Sequence, residues 1–430
     1  MKSRIWQSVL VGVFLVAGIV AAINFTVNRP PEKYKNNGLP VVDISLKDIS
    51  LEDFKSGDKE TVYEGNEVAL INNETESAFY NVELKGRGNS TWGEDKKPFQ
   101  IKFRHAVDFL GMGKARKWVF LANRLDATNL RNDIAFRLAE MLDDKPQRGQ
   151  FVEVYFNGEY EGLYYVMHRV EIGKSSVDLR DELGILMELD APSRTEACYS
   201  SSLGGCLVLK ETVNNNSEDS ENLALKEFLE DYEEAERAAV DGDYEKVSEY
   251  LDLVSFARYF LVSEFTVNPD AYSMSFYLHK NGSEDKIHAG PVWDFDYALG
   301  NRAWEWTVRE DFYSPEEIMI LRRNAFGTDW IEENQDISKL IYYLMEIPEF
   351  VEIVKNIFNE RLSGRAAEFE IIVTSTVKDL RPAILRDTEK WGKDDFDAEM
   401  EYLLDWISRR YARLEQEFGD PEGTKNLRVY

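Results

Sequence analysis

Apolar and β-branched residues cluster between polar turns over "LPVVDISL", Leu39 to Leu46, and over "VALINN", Val68 to Asn73, which predicts two strands. "SAFYNVELKGRGNSTW" reads as a strand entering a glycine-bearing turn, and "KPFQIKF", Lys97 to Phe103, as the strand leaving it. The apolar spacing changes to a helical one over "ATNLRNDIAFRLAEML", which predicts a helix starting near Ala127 or Thr128. Alternation returns in "FVEVYFNGEYEGLYYVMHRV", where Asn157-Gly158 marks a hairpin turn. From Asn216 to Phe265 the pattern is helical with an acidic solvent face. "FYLHKNGSEDKIHAGPVWDFDYALG", Phe276 to Gly300, then returns to strands through a second Asn-Gly. From about Ile318 amphipathic helices follow, with breaks expected at Pro348 and Pro382. The order is a β-rich lobe over about 39–190 and a helical lobe over about 220–418 with an embedded hairpin, an α+β chain.

The start of the chain departs from this pattern. Lys2 and Arg4 precede an uncharged run from Ile5 to Asn28, long enough to span a bilayer. The basic flank predicts a cytoplasmic N-terminus with the rest exported. An uncleaved anchor over 1–29 is the favoured reading. "VAA", Val20 to Ala22, offers signal cleavage and secretion as its rival. Residues 30–38 form a short linker and 419–430 a tail. Cys198 and Cys206 bracket a flexible loop, and a local disulfide in an oxidising compartment suits both the spacing and export.

Charge narrows the partners. The chain of 430 residues carries 79 Asp and Glu against 51 Lys and Arg, a net charge of −28. That excludes the basic footprint of a nucleic-acid binder. It suits a well-solvated surface, or a basic partner met at short range.

Only four histidines occur, and there is no HExxH, GxSxG or CxxC motif, so carboxylate chemistry is the main option. Asp294 and Asp296, read as i and i+2 on a strand, point to one side. Asp270 lies just before the embedded hairpin, whose strands run out and back and can bring it to Asp294. Converging carboxylates repel unless a cation sits between them, and Mg²⁺, or Mn²⁺ in its place, fits one or two carboxylates plus substrate phosphates. At the other end of the chain, "KGRGNSTW" offers glycine-exposed amides with Lys85, Arg87 and Asn89 for a phosphate group. Lys102, on a strand between apolar neighbours, calls for an anionic partner. That partner is a nucleotide phosphate or a nearby helix carboxylate such as Glu140.

Taken together, these segments resemble the CotH kinase-like family. The resemblance runs from about Leu39 to about Phe418. It rests on "KGRGNSTW" with "KKPFQIKF", "FLGMGKARKWVFLAN" with "NLRN", "VEVYFNGEYEGLYYV", "GILMELD" and "GPVWDFDYALGN", in that order. "ERLSGRAAEF" and "LRPAILRDTEKW" extend it. The resemblance implies an atypical protein-kinase-like bilobed fold that binds ATP with Mg²⁺ and phosphorylates Ser or Thr hydroxyls of a protein substrate. It implies Asp270 as catalytic base, Asp294 as first metal ligand with Asp296 beside it, Lys102 as phosphate-pairing lysine with Glu140, and Arg87 and Asn89 in the phosphate-covering turn. Kinases place an Asn five residues after the catalytic Asp, where this chain has Ser275 as the second metal ligand.

Two further readings stand beside an exported kinase. Ser275, export and the acidic surface favour a catalytically weak or inactive kinase-like binding protein of the cell envelope. The DxD pair by itself also suits metal-dependent glycosyl or phosphate-ester chemistry.

Overall fold

The computed structural model describes residues 34, 38–72, 75–144, 149–190, 197–303, 314–316, 318 and 338–419. The uncharged run over 5–28 lies outside the described residues. Among the described residues, no helix is long and apolar enough to cross a membrane.

Seven strands form a closed barrel in the order β1-β2-β3-β4-β5-β7-β6. They are β1 (Val41–Ser45), β2 (Val62–Asn72), β3 (Thr75–Gly86), β4 (Phe99–Asp108), β5 (Lys114–Leu121), β6 (Gly149–Phe156) and β7 (Glu159–His168). Neighbours are antiparallel except for the closing pair, in which β1 runs parallel to β6 with Val42 opposite Val154. Closure removes exposed strand edges. Alternate residues point inward, so Phe99, Ile101 and Phe103 of β4 meet Trp118 and Phe120 of β5 inside. Phe99 stacks on Phe120 with ring centres 4.4 Å apart. A short helix, α1 (Leu51–Ser56), is capped by Ser50 and drops the buried Phe54 onto this interior. The Asn157-Gly158 turn joins β6 to β7 with both residues at positive φ, as expected for an Asn-Gly hairpin.

The outer face of the barrel is also buried along one side. Val119, Phe151, Tyr165 and Met167 point away from the interior into a second, larger core. Helix α2 (Arg131–Met141) fills this space with Ile134, Phe136 and Leu138. It starts later than the apolar spacing suggests. Asn129 takes a left-handed φ of +62°, and the Asp126 carboxylate accepts from the Arg131 amide at 2.9 Å, so residues 123–130 form an irregular loop.

The remaining strands make a five-stranded sheet in the order β12-β11-β8-β10-β9. They are β8 (Gly184–Asp190), β9 (Tyr199–Ser200), β10 (Cys206–Thr212), β11 (Phe276–Asn281) and β12 (His288–Ala289). The hairpin expected to stand alone in the helical part is therefore the edge of a sheet, and β8 belongs with it and not with the barrel. Cys198 and Cys206 are joined as a disulfide, with Cα atoms 5.4 Å apart. Among the described residues the further helices are α3 (Glu218–Asp241), α4 (Tyr244–Tyr250), α5 (Leu253–Thr266), α6 (Leu340–Leu344), α7 (Pro348–Arg361), α8 (Ala366–Trp391) and α9 (Phe396–Phe418). The mixed α+β class, with strands first and helices after, is as expected. A break falls at Pro348 as expected, between α6 and α7, whereas Pro382 causes none. Pro348 opens α7 at its first turn, where a missing N–H costs nothing, and Pro382 is carried inside the 26-residue α8.

Candidate active site

Helix α5 begins at Asp252, whose carboxylate accepts from the Ser255 amide at 2.7 Å. It ends at Val267 with φ +47°, a backbone state that a β-branched residue occupies only under constraint from its surroundings. This turn delivers Asn268 and Asp270. The Asn268 side chain accepts from the Asp270 amide at 3.3 Å and donates to the Asp294 carbonyl at 3.1 Å, tying the two aspartate segments together.

Asp294 and Asp296 do not lie on a strand. Regular pairing ends at Ala289, and Asp294 itself sits at φ +63°. Their charges act on each other all the same. Burial, and next the charge of Asp294, push the Asp296 carboxyl up to about 7. The Ser275 hydroxyl donates to Asp294 Oδ2 at 3.2 Å. Asp270 adds negative charge to the same region, acting on both Asp296 and Tyr297.

The glycine turn reaches this place from the barrel. Ser90 Oγ and Tyr297 Oη are 3.1 Å apart, and the Arg87 guanidinium lies over the Trp293 ring at 5.6 Å. Gly88 needs its left-handed φ of +80°, and a Cβ there would strike the Thr91 hydroxyl. A Cβ on Gly86 would meet the Trp92 ring at 2.6 Å. Both glycines are thus required by the turn's own packing.

Of the cations expected around a phosphate, Arg87 alone is turned toward the carboxylates. Burial lowers its pKa, partly countered by the charges of Asp294 and Glu188 and reinforced by Arg169. Its Nη1 is shut off from solvent and meets no hydrogen-bond partner. Lys85 pairs with Glu60 at 2.5 Å, and Asn89 accepts from Lys59 at 2.7 Å. Lys102 points out of the barrel and bonds both oxygens of Glu83, its cross-strand neighbour on β3, at 2.8 and 3.0 Å. The expected Lys102–Glu140 pairing is thereby corrected, and Glu140 sits in the last turn of α2. Topology gives the reason. The kinase lysine belongs to the strand that leads into the lobe's helix, whereas β4 directly follows the glycine turn and β5 precedes α2.

Several site residues escape composition and periodicity. Asn132 donates through Nδ2 to Asp296 Oδ1 at 2.5 Å and accepts through Oδ1 from the Phe295 amide at 3.0 Å. Arg131 donates to the Ala298 carbonyl at 3.1 Å and pairs with the buried Asp126. Asn301 donates to the carbonyls of Leu125 at 3.1 Å and Asp296 at 2.7 Å. The clue was "NLRN", a polar stretch at the head of a helix that is otherwise apolar.

Among the described residues, no three His, Cys, Asp or Glu side chains group closely enough to hold a metal by themselves. The donor set still fits a hard cation. Two carboxylates that oppose each other's ionisation, beside a hydroxyl, suit Mg²⁺, which completes its shell with water and substrate phosphate.

A family described as CotH kinase protein matches residues 84–414. The chain belongs to the CotH kinase family. The matched span holds every residue described above around the three aspartates. No curated protein matches the chain. Among solved structures, it is similar to one of the Shewanella oneidensis MR-1 toxin–antitoxin system HipA, HipB and its operator DNA complex. That match has 12% identity, covers 96% of this chain and 73% of that chain, and has a TM-score of 0.29.

Proposed function

We propose that this CotH-family chain is an ATP- and Mg²⁺-dependent protein kinase that transfers the γ-phosphoryl group to Ser or Thr hydroxyls. The observation that carries it is that the charges of Asp294 and Asp270 act on the buried Asp296 carboxyl, beside a glycine turn that contributes an unsatisfied arginine. Asp294 and Asp296 would hold Mg²⁺, or Mn²⁺ in its place, and the ion would supply charge neutralisation for the phosphates. Arg87 takes a phosphate oxygen on its buried Nη1. Asp270 accepts the proton as the substrate oxygen forms its bond to the γ-phosphorus and the bond to the ADP oxygen breaks. Positioning and charge are most of what this reaction asks of a protein.

Residues 2–28 support placing the domain outside the cytoplasm behind a membrane anchor, and the net charge of −28 suits a basic protein substrate. One observation favours a second reading, an inactive binding protein of the envelope. Ser275 stands where kinases use Asn, and its hydroxyl is spent on Asp294.

The test is transfer of labelled γ-phosphate from ATP to the protein itself or to a basic Ser-rich acceptor, with Mg²⁺ or Mn²⁺ and with Asp294→Ala as control. Transfer lost in the variant supports the kinase. Nucleotide binding without transfer selects the binding protein, and neither signal overturns both readings.

A further inference from the structure

The loop 123–132 does not hold itself against the aspartates. Lys393, in the turn between α8 and α9, is almost wholly buried and aims its ammonium into that loop. It donates to the Asn123 carbonyl at 2.7 Å, to the Asn129 side-chain oxygen at 2.9 Å and to the Asp126 carbonyl at 3.2 Å. Its counter-charge is Asp387 of α8, 3.0 Å away. Asp387 is fixed from the other side, because it also takes Lys96 at 2.8 Å and the backbone amide of Leu163 in β7 at 2.8 Å.

We infer that Lys393 is a positioning residue for the Asp296 carboxylate, acting through residues 123–132. The inference rests on the kinase reading only for what the carboxylates hold. The route is continuous. Lys393 fixes the carbonyls of Asn123 and Asp126. Asp126 fixes Arg131 by charge and through its backbone amide. Arg131 and Asn132 then hold Ala298, Phe295 and Asp296. Asn301 closes the circuit by bridging Leu125 to Asp296. The placement of Asp296 is therefore tied to the far end of the chain, whereas Asp294 is held by Asn268 and Ser275. Outer groups of this kind orient metal ligands and usually tune metal affinity by about 10–100-fold.

The test uses the protein with two variants. Lys393→Met removes the clamp. Asn129→Gly removes one arm of it and keeps the left-handed backbone that position needs. Amide hydrogen exchange is followed over 292–301, which Lys393 does not touch, with β2 and β3 of the barrel as reference. Binding of ATP is measured with and without Mn²⁺. The expected result is exchange over 292–301 about tenfold faster or more in Lys393→Met, with β2 and β3 unchanged. Mn²⁺-dependent affinity should fall by about 10–100-fold while metal-free affinity moves less than about twofold. Asn129→Gly should change both readouts in the same direction by less. Unchanged exchange over 292–301 while 123–129 loosens would overturn the inference, and so would loosening of all segments together. If the parent protein binds no Mn²⁺-ATP, the kinase reading falls, and the exchange measurement still decides the clamp.

Discussion

Asn132 holds Asp296 from across the chain: one amide donates to the carboxylate at 2.5 Å while its oxygen takes the adjoining Phe295 N–H at 3.0 Å. The side chain of the second aspartate and the backbone N–H of the residue before it are thus fixed by one residue at the head of α2. Asn132→Ala leaves that N–H buried without a partner, at a cost of about 1–3 kcal/mol. Mg²⁺-dependent ATP affinity should fall by about 10–100-fold. Calorimetric titration with and without the ion reads this directly, and unchanged ion-dependent affinity would show that Asp296 is not a ligand.

Asp270→Asn should preserve nucleotide binding and lower transfer by about 10²–10⁴-fold, the range for losing a general base. Full transfer in this variant would reduce Asp270 to a turn residue that supports Asn268.

Arg87 and Lys102 divide the expected phosphate role unequally. Arg87→Met should weaken ATP binding even without metal, because its buried Nη1 meets no hydrogen-bond partner and its charge acts on Asp294. Lys102→Met should leave binding within about twofold, since it loses only a partly exposed pair with Glu83, a class worth about 0–1 kcal/mol. Equilibrium dialysis of the two variants side by side separates them, and the reverse ranking would restore the strand lysine.

Ser275 occupies φ +56°, a region that Asn tolerates better than most residues. Ser275→Asn should therefore fold at least as stably and supply the amide oxygen that kinases use. Turnover should rise if the second cation site limits the rate. A fall in turnover would show that the hydroxyl bonded to Asp294 matters as it stands.

Lys96 is fully buried between Asp387 and the Tyr164 ring. Burial lowers its pKa to about 7, against the pull of Asp387 and with the help of Lys393. Above that value the unfolded chain binds a proton that the folded one does not, so stability should rise with pH from about 7 to 9. Buried tyrosines such as Tyr164 and Tyr272, held protonated, reverse the trend near 10. Lys96→Met should flatten the rise between 7 and 9 in urea unfolding curves, and an unchanged slope would mean that another group titrates there.

Much of this was legible in the chain. Apolar and β-branched runs located β1, β3, β4 and the end of β2, alternation around Asn157-Gly158 located β6 and β7, and "DFD" with Asp270 marked acidic residues whose charges act on one another, whereas β5 was not read as a strand. What stayed hidden depends on contacts between residues far apart in the chain. Lys102 looked like a buried cation because its neighbours in sequence are apolar, yet those neighbours face the barrel interior and Lys102 faces out. The late start of α2 followed from Asp126 capturing the Arg131 amide, which helical spacing does not report. Pro382 could be carried within α8 because packing along a long helix outweighs one lost bond. Asn132, Asn268 and Lys393 look like ordinary polar residues until the fold brings their partners to them.

The clamp on the 123–129 loop comes from a residue 264–270 positions later in the chain. Synthesis runs in one direction at about 5–20 residues per second, so the last barrel residue, His168, is made roughly 11–45 s before Lys393. Through that interval the nascent chain can close its strands and bury its aromatic interior, while the 123–129 loop still lacks the ammonium that fixes its carbonyls. The protein is thus built with a timer: the loop whose neighbours Arg131 and Asn132 hold Ala298 and Asp296 is complete only when the last helical pair docks.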